Sequence, residues 1–291
     1  MPILLLIRHA TNDFVKTGRL PGQTPNIHLN DEGRKQAEAL GELLSKRPLD
    51  AVYSSQLERA IETAWRVAKP HQLPIAIRPA LADINNGDFT GKEIKKLLED
   101  EATKDLWKVV VETPSQAVFP NGEAMLDMQK RVVAGLEAVI TAHPDIEVPS
   151  GEPAANDGRG PTDSGRQATQ TGSPVASAST SPISLDPSKI APGAHPSDSP
   201  AAGKAEDRKK DENQSEHPKP EPPKKRPQIV AVVAHADVIK AALAHYLDMP
   251  FDSFQKLGVQ PASVSMLMVM MDDKSGKRHV MVNNINQVPY A

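Results

Sequence analysis

Residues 4–11 read Leu4-Leu5-Leu6-Ile7-Arg8-His9-Ala10-Thr11. An apolar run of strand length, 3–7, ends at Ile7, and Arg8 and His9 follow at once. In an open α/β sheet the carboxyl ends of the strands are where ligands bind. This strand is therefore expected to deliver an arginine and a histidine to the site. Arginine supplies a planar fork that matches phosphate oxygens. Histidine supplies a nitrogen nucleophile that works near neutral pH. The arrangement recurs late in the chain, where the apolar strand Ile229-Val230-Ala231-Val232-Val233-Ala234 ends in His235 and Ala236-Asp237 lead into a helix.

Between and after these two strands the pattern alternates. Strands are expected at 3–7, 50–53, 75–77, 228–234, 263–271 and 278–283. Helices are expected at about 31–46, 57–69, 91–109, 122–142 and 236–247, with Gly122-Glu123 opening the fourth. Strands alternating with helices imply a mostly parallel sheet covered on both faces, an α/β three-layer sandwich. In the helix at 31–46, Asn30 is the N-cap candidate, Asp31 and Glu32 suit the first turn, and Ala37, Leu40, Leu43 and Leu44 should face the core. Ser54 and Ser55 are N-cap candidates for the next helix, whose opening turns hold Arg59 where the backbone dipole favours an anion. Met266, Met268, Met270 and Met271 fall in a strand, where core filling is the default for them.

Four stretches together carry a resemblance. They are Arg8-His9-Ala10-Thr11, Ser54-Ser55-Gln56-Leu57-Glu58-Arg59-Ala60-Ile61-Glu62-Thr63, Leu81-Ala82-Asp83-Ile84-Asn85-Asn86-Gly87-Asp88-Phe89-Thr90-Gly91, and His235-Ala236-Asp237. In this order they resemble the motifs of the histidine phosphatase (phosphoglycerate mutase-like) superfamily, over most of 1–145 and 228–270. The resemblance implies a phosphomonoester hydrolase with a phosphohistidine intermediate. Arg8, Arg59 and His235 would cradle the phosphate, and His9 would attack phosphorus. Asp83 would protonate the leaving oxygen and then take a proton from water. Asp83 stands where the family has Glu, so its backbone must come one methylene closer. Asp237 competes for the donor role, or else caps its helix. Thr11, Asn12 and Glu123 are further candidates, the last in Phe119-Pro120-Asn121-Gly122-Glu123, which resembles the Pro-x-Gly-Glu segment of the phosphatases. Val15 stands where many members have Asn.

The resemblance implies a small phosphorylated substrate. Residues 92–120 hold Lys92, Lys95, Lys96, Lys104 and Lys108 but no arginine or tyrosine, whereas the family's mutases hold a second acidic group with such residues. That favours a phosphatase, although a phosphomutase subgroup shares the stretch His-Ala-Asp-Val-Ile-Lys at 235–240. A phosphomutase and a non-catalytic phosphate-binding scaffold are the alternatives, and retention of His9 argues against the scaffold.

Composition narrows the classes further. A net charge of −3 gives no general field for nucleic acid. The chain has no cysteine, so neither a disulfide framework nor a thiolate metal site is available. No His/Asp/Glu clustering has metal-site spacing, and no metal or cofactor is expected. The run at 3–7 is too short to span a membrane, and no basic leader precedes a signal-length apolar stretch, so the expected location is cytoplasmic. The oligomeric state is left open. From 148 to 227 the sequence holds no Phe, Trp or Tyr and 14 of the 27 prolines. Such a stretch cannot bury enough apolar surface to offset its ordering entropy. It is expected to be a disordered insert in a single domain formed by 1–147 and 228–291. Insertion is thermodynamically mild, since doubling a loop costs only about 0.6 kcal/mol.

Overall fold

The computed structural model describes residues 1–148, 224–272 and 274–289. The elements described here belong to one compact unit, Met1–Ser150 with Pro223–Ala291. Its centre is a six-stranded sheet in the order β3-β2-β6-β1-β7-β8, formed by β1 (Ile3–Arg8), β2 (Ala51–Ser54), β3 (Ile75–Ile77), β6 (Ile229–Ala234), β7 (Val264–Met271) and β8 (Arg278–Gln287). The first four strands of that order run parallel. β7 is antiparallel to β1, and β8 is antiparallel to β7. The mostly parallel three-layer expectation is met.

Alternation along β1 shows why both faces are covered. Leu4 and Leu6 join one apolar cluster, while Leu5 and Ile7 join the other. The second cluster contains Ala37, Leu40 and Leu44 of α2 (Asp31–Ser45) and Ala60, Ala64 and Val67 of α3 (Glu58–Ala68). The first contains Met125, Met128 and Val132 of α6 (Met125–Ala142) and Val238, Ile239 and Ala242 of α7 (Ala236–Tyr246). Each fully buried Leu or Ile contributes roughly 1.5–3 kcal/mol, so the four central β1 residues alone anchor the sheet. No helix among the described residues is long and apolar enough to cross a membrane.

Several expectations need correction. Asn30 does cap α2, accepting from Gly33 N at 2.9 Å, but Leu43 is only half-buried and Gly41 takes the core position instead. The N-cap of α3 is Leu57, without a side-chain cap; Ser55 lies two residues earlier, where its Oγ accepts from Leu57 N at 3.4 Å and meets His235 Nε2 at 2.8 Å. The helical region 91–109 is two helices, α4 (Ile94–Glu99) and α5 (Lys104–Glu112), broken where Asp100 is extended. α6 begins at Met125, because Gly122 packs against the Asn85 carbonyl in a loop. The short helix α1 (Asp13–Lys16), capped by Asn12, was too short to show a period. Met270 and Met271 are exposed, at 37% and 44%, and do not fill the core. Lys224–Arg226, assigned above to the insert, form a strand, β5, paired antiparallel with β4 (Ile146–Val148). The remainder of the 148–227 expectation lies outside the described residues.

Candidate active site

The site follows from the sheet register. Arg8, the last residue of β1, pairs with Ala234, the last of β6. His9 and His235 are the next residues of two adjacent parallel strands, so they must emerge side by side. Their rings lie 5.1 Å apart, centre to centre, at 58°. His9 N donates to Ala234 O at 2.9 Å, which locks the two strand ends together. β2 ends beside β6, and Ser55 N donates to Val233 O. The Ser55 hydroxyl meets His235 Nε2 at 2.8 Å. α3 then carries Arg59 back over the sheet end in its first turn.

Arg59 is fully buried. Its Nη2 donates to Gly22 O at 2.6 Å and to Asp83 Oδ2 at 3.1 Å, while its Nε and Nη1 have no partner. A buried guanidinium with two idle donors is costly unless an anion arrives to accept them. Asn12 is likewise buried. Its Oδ1 caps α1 at Val15 N, and its Nδ2 has no partner. Arg8 Nη1 donates to Val259 O at 2.7 Å. Thr11 is buried, and its backbone N donates to Gln36 Oε1 at 2.9 Å.

Both imidazoles are uncharged near neutral pH. Burial, then the charges of Arg59 and Arg8, hold His9 well below the ordinary histidine range. Burial and Arg59 do the same to His235, with His9, Arg8 and Arg131 adding to the effect. His9 Nδ1 lies 2.7 Å from Ala10 O. A carbonyl can only accept, so Nδ1 carries the proton and Nε2 keeps its lone pair. Such an imidazole is a nucleophile already in the required tautomer.

Asp83 faces this group from a non-repetitive segment. Its Oδ2 is 3.5 Å from His235 Nδ1, and its Oδ1 accepts from Ile84 N at 3.0 Å. Burial pushes its pKa up to about 6; Arg59 opposes that shift and the Asp237 carboxylate assists it. A carboxyl so placed can hold a proton close to working pH. Asp237 lies in the first turn of α7, 31% exposed, with its carboxylate 3.6 Å from Lys240 Nζ. Arg8, His9, Asp83 and Asp237 line one cavity of about 310 Å³, whose rim adds Val15, Arg19, Leu20 and Lys240. That volume suits a small molecule.

Of the residues expected from sequence, Arg8, His9, Arg59, Asp83 and His235 come together, with Thr11 and Asn12 in the turn behind His9. Arg8, His9 and Asp83 line the cavity, while Arg59 and His235 are buried directly against Asp83 and His9. Glu123 touches none of these side chains in an ion pair; it pairs with Arg131. Sequence reasoning read Ser55 only as a helix cap and gave no role to Gly22 or Arg131. The first lies 180 residues from its partner, and no periodicity encodes such a meeting. No group of three or more His, Asp or Glu among the described residues is arranged to hold a metal ion.

Comparison with known proteins gives the family. The model of the histidine phosphatase superfamily (branch 1) matches residues 4–148 and 205–284. A protein named phosphoserine phosphatase 1 from Hydrogenobacter thermophilus is 31% identical over 140 residues, covering 48% of this chain and 65% of that one. An Arabidopsis thaliana protein named metal-independent phosphoserine phosphatase is 33% identical over 144 residues, covering 48% of this chain and 59% of that one. The chain thus matches less than two thirds of either relative's length. The solved structure of a mycobacterial glucosyl-3-phosphoglycerate phosphatase complexed with VO3 superposes with a TM-score of 0.61 at 21% identity, covering 99% of this chain and all of that one; it shares the fold. The family match spans most of the sequence and includes every strand of the central sheet, and the chain belongs to the histidine phosphatase superfamily (branch 1).

Proposed function

We propose that this protein hydrolyses a small phosphomonoester through a phosphohistidine at His9. The observation that carries the reading is the fully buried Arg59, with two idle donors, beside two uncharged imidazoles and a carboxyl that titrates near pH 6. A phosphate dianion accepts from Arg59, Arg8 and His235, replacing missing hydrogen bonds with charge-assisted ones. Its negative charge reverses the electrostatics that keep His235 neutral, so His235 can take up a proton and add to the stabilisation. His9 Nε2 attacks phosphorus in line with the leaving oxygen, and the P–O bond breaks. Asp83 gives its proton to that oxygen. Water, deprotonated by Asp83, then attacks phospho-His9, releasing inorganic phosphate and restoring the imidazole.

The arginines and His235 supply the positive charge that phosphoryl transfer requires, so the proposed reaction is metal-independent, as the name of the Arabidopsis relative suggests for that protein. Asp83 is favoured over Asp237 as donor because burial raises its pKa to about 6 and its Oδ2 lies 3.5 Å from His235 Nδ1. Hydrolysis is favoured over mutase chemistry because α4 and α5 bring no arginine to the site. Residues 1–148 and 224–291 form the catalytic domain in this reading, and the intervening stretch is a tolerated insertion.

The test is turnover of p-nitrophenyl phosphate with a chelator present, together with acid-labile labelling by a radioactive phosphoryl donor. We expect His9→Ala to abolish both while the melting temperature stays near wild type. Retained acid-labile phosphate on that variant rules out His9 as nucleophile.

A further inference from the structure

The segment that carries Asp83 has no sheet partner. Between the 3-10 turns Pro79–Leu81 and Gly87–Phe89 it runs as open loop. Its backbone is nevertheless held from outside: Gln23 Nε2 donates to Asp83 O at 2.8 Å, and a guanidinium grips the carbonyls around it. Arg131, on the second turn of α6, donates through Nη1 to Ala80 O and Ala82 O, both at 2.9 Å, and through Nη2 to Asp83 O at 3.4 Å. The guanidinium is held in turn by Glu123, at 2.9 Å from Nε to Oε1 and 2.8 Å from Nη2 to Oε2. Glu123 closes the circuit, since Oε2 accepts from Asn85 N at 3.3 Å and its own N donates to Asn85 O at 2.9 Å. One bidentate ion pair therefore grips the loop on both sides of Asp83. Gly87 completes the grip. Its φ is +50°, and a Cβ there would lie 2.0 Å from Pro120 O, in the segment that presents Glu123.

We propose that Arg131, backed by Glu123, is the positioning residue for the Asp83 carboxyl, setting how far the acid reaches toward the leaving oxygen. The inference rests on Asp83 being the proton donor. The demand is acute in this chain because aspartate is one methylene shorter than glutamate, so the backbone must supply the reach. Proton transfer needs heavy atoms within about 2.6–3.2 Å, and a misplacement of about 1 Å can cost on the order of a hundredfold. Three backbone carbonyls held by one planar guanidinium satisfy that tolerance. A lysine, with a single point charge, cannot hold all three and both Glu123 oxygens together.

The experiment compares kcat/KM on phenyl phosphate with kcat/KM on p-nitrophenyl phosphate, whose leaving group needs little protonation; kcat/KM reports the steps up to P–O cleavage, before the shared phosphohistidine. Both are measured on one preparation, so the ratio does not depend on the fraction of folded enzyme. Asp83→Asn should lower the phenyl/nitrophenyl ratio by tenfold or more. Arg131→Lys and Glu123→Gln should each lower it in the same direction, by about three- to tenfold. In an Asp83→Asn/Arg131→Lys double variant, the second change should leave the ratio where Asp83→Asn put it, since both act through one proton. A ratio moved by Asp83→Asn but unmoved by both single variants overturns the positioning role and leaves the acid assignment standing. A further drop in the double variant also overturns it. A ratio unmoved by Asp83→Asn removes Asp83 as donor, and the proposal falls with it.

Discussion

Arg8, His9 and His235 sit at the ends of paired strands, and Arg59 sits in the first turn of a helix packed on the same sheet. Asp83 sits on a loop that pairs with no strand among the described residues. The floor of the site is therefore placed by main-chain register. Once β1 pairs with β6, the two histidines have no freedom to separate. The wall that carries the acid is placed by side chains reaching across from α6. Register is robust because a slip by one residue would turn every apolar side chain of β1 to the wrong face. A side-chain clamp can be undone by one substitution. The family resemblance is complete in the floor and departs in the wall, where Asp83 replaces Glu.

The sharpest way to break this contrast is to change the floor's chemistry without moving its backbone. Arg59→Lys keeps the charge but loses the fork that spans Gly22, Asp83 and the phosphate. We expect kcat/KM on p-nitrophenyl phosphate to fall on the order of a thousandfold, as loss of a preorganised donor to a charged transition state does. Steady-state kinetics with a melting curve as control checks it. A fall below tenfold would show that the floor tolerates what the contrast says it cannot.

The wall has a signature of its own in the pH dependence of stability. Folding raises the Asp83 pKa from 3.8 to about 6. Between those values the folded state holds a proton that the unfolded state has lost, so the contribution is present at low pH and is lost as pH rises through about 6. That difference amounts to roughly 3 kcal/mol at most. His9 and His235 act in the opposite sense. Their folded pKa values are depressed, so the stability they contribute is lost as pH falls below the ordinary histidine value. Asp83→Asn isolates the first effect. Measured by denaturant unfolding at pH 4.5 and 7.5, the variant should gain on wild type as pH rises, by about 1–3 kcal/mol. A constant difference across that range would show that Asp83 does not fold as a buried, proton-holding acid.

The smallest expected effect tests how tightly the floor is packed from outside. A Cβ on Gly33 of α2 would lie 1.9 Å from Thr11 O, in the turn that follows His9. Alanine gains about 0.5–1 kcal/mol in helix propensity over glycine, whereas forcing backbone apart costs about 1–3 kcal/mol. The clash wins. Gly33→Ala should lower stability by about 1–2 kcal/mol, which is roughly 2–8 °C in melting temperature for a domain of this size. A stabilised Gly33→Ala would mean that the Thr11 turn yields freely, and the rigid floor would lose its support.

Much of this molecule was written in local pattern. Apolar runs with the period of buried strands marked β1 and β6, and the residues next to their ends were the two histidines. Asn30 announced the start of α2, and the spacing of Ala37, Leu40 and Leu44 announced its buried face. Strand ends alone did not say that β1 and β6 are neighbours; their parallel pairing in the folded sheet is what brings His9 and His235 together. Local pattern failed where no repeat exists. It misread Ser55 as a cap, because the hydroxyl's partner, His235, lies 180 residues away. It treated Met270 and Met271 as core, because strand periodicity does not reveal which stretch of a face a helix will cover. It placed Glu123 in the site when Glu123 stands behind it, and it passed over Arg131 altogether. A strand or helix repeats its hydrogen bonds along the sequence, so residue spacing encodes it. A guanidinium on one helix that binds the carbonyls of a loop about fifty residues earlier repeats nothing, and only the packed tertiary structure brings the two together.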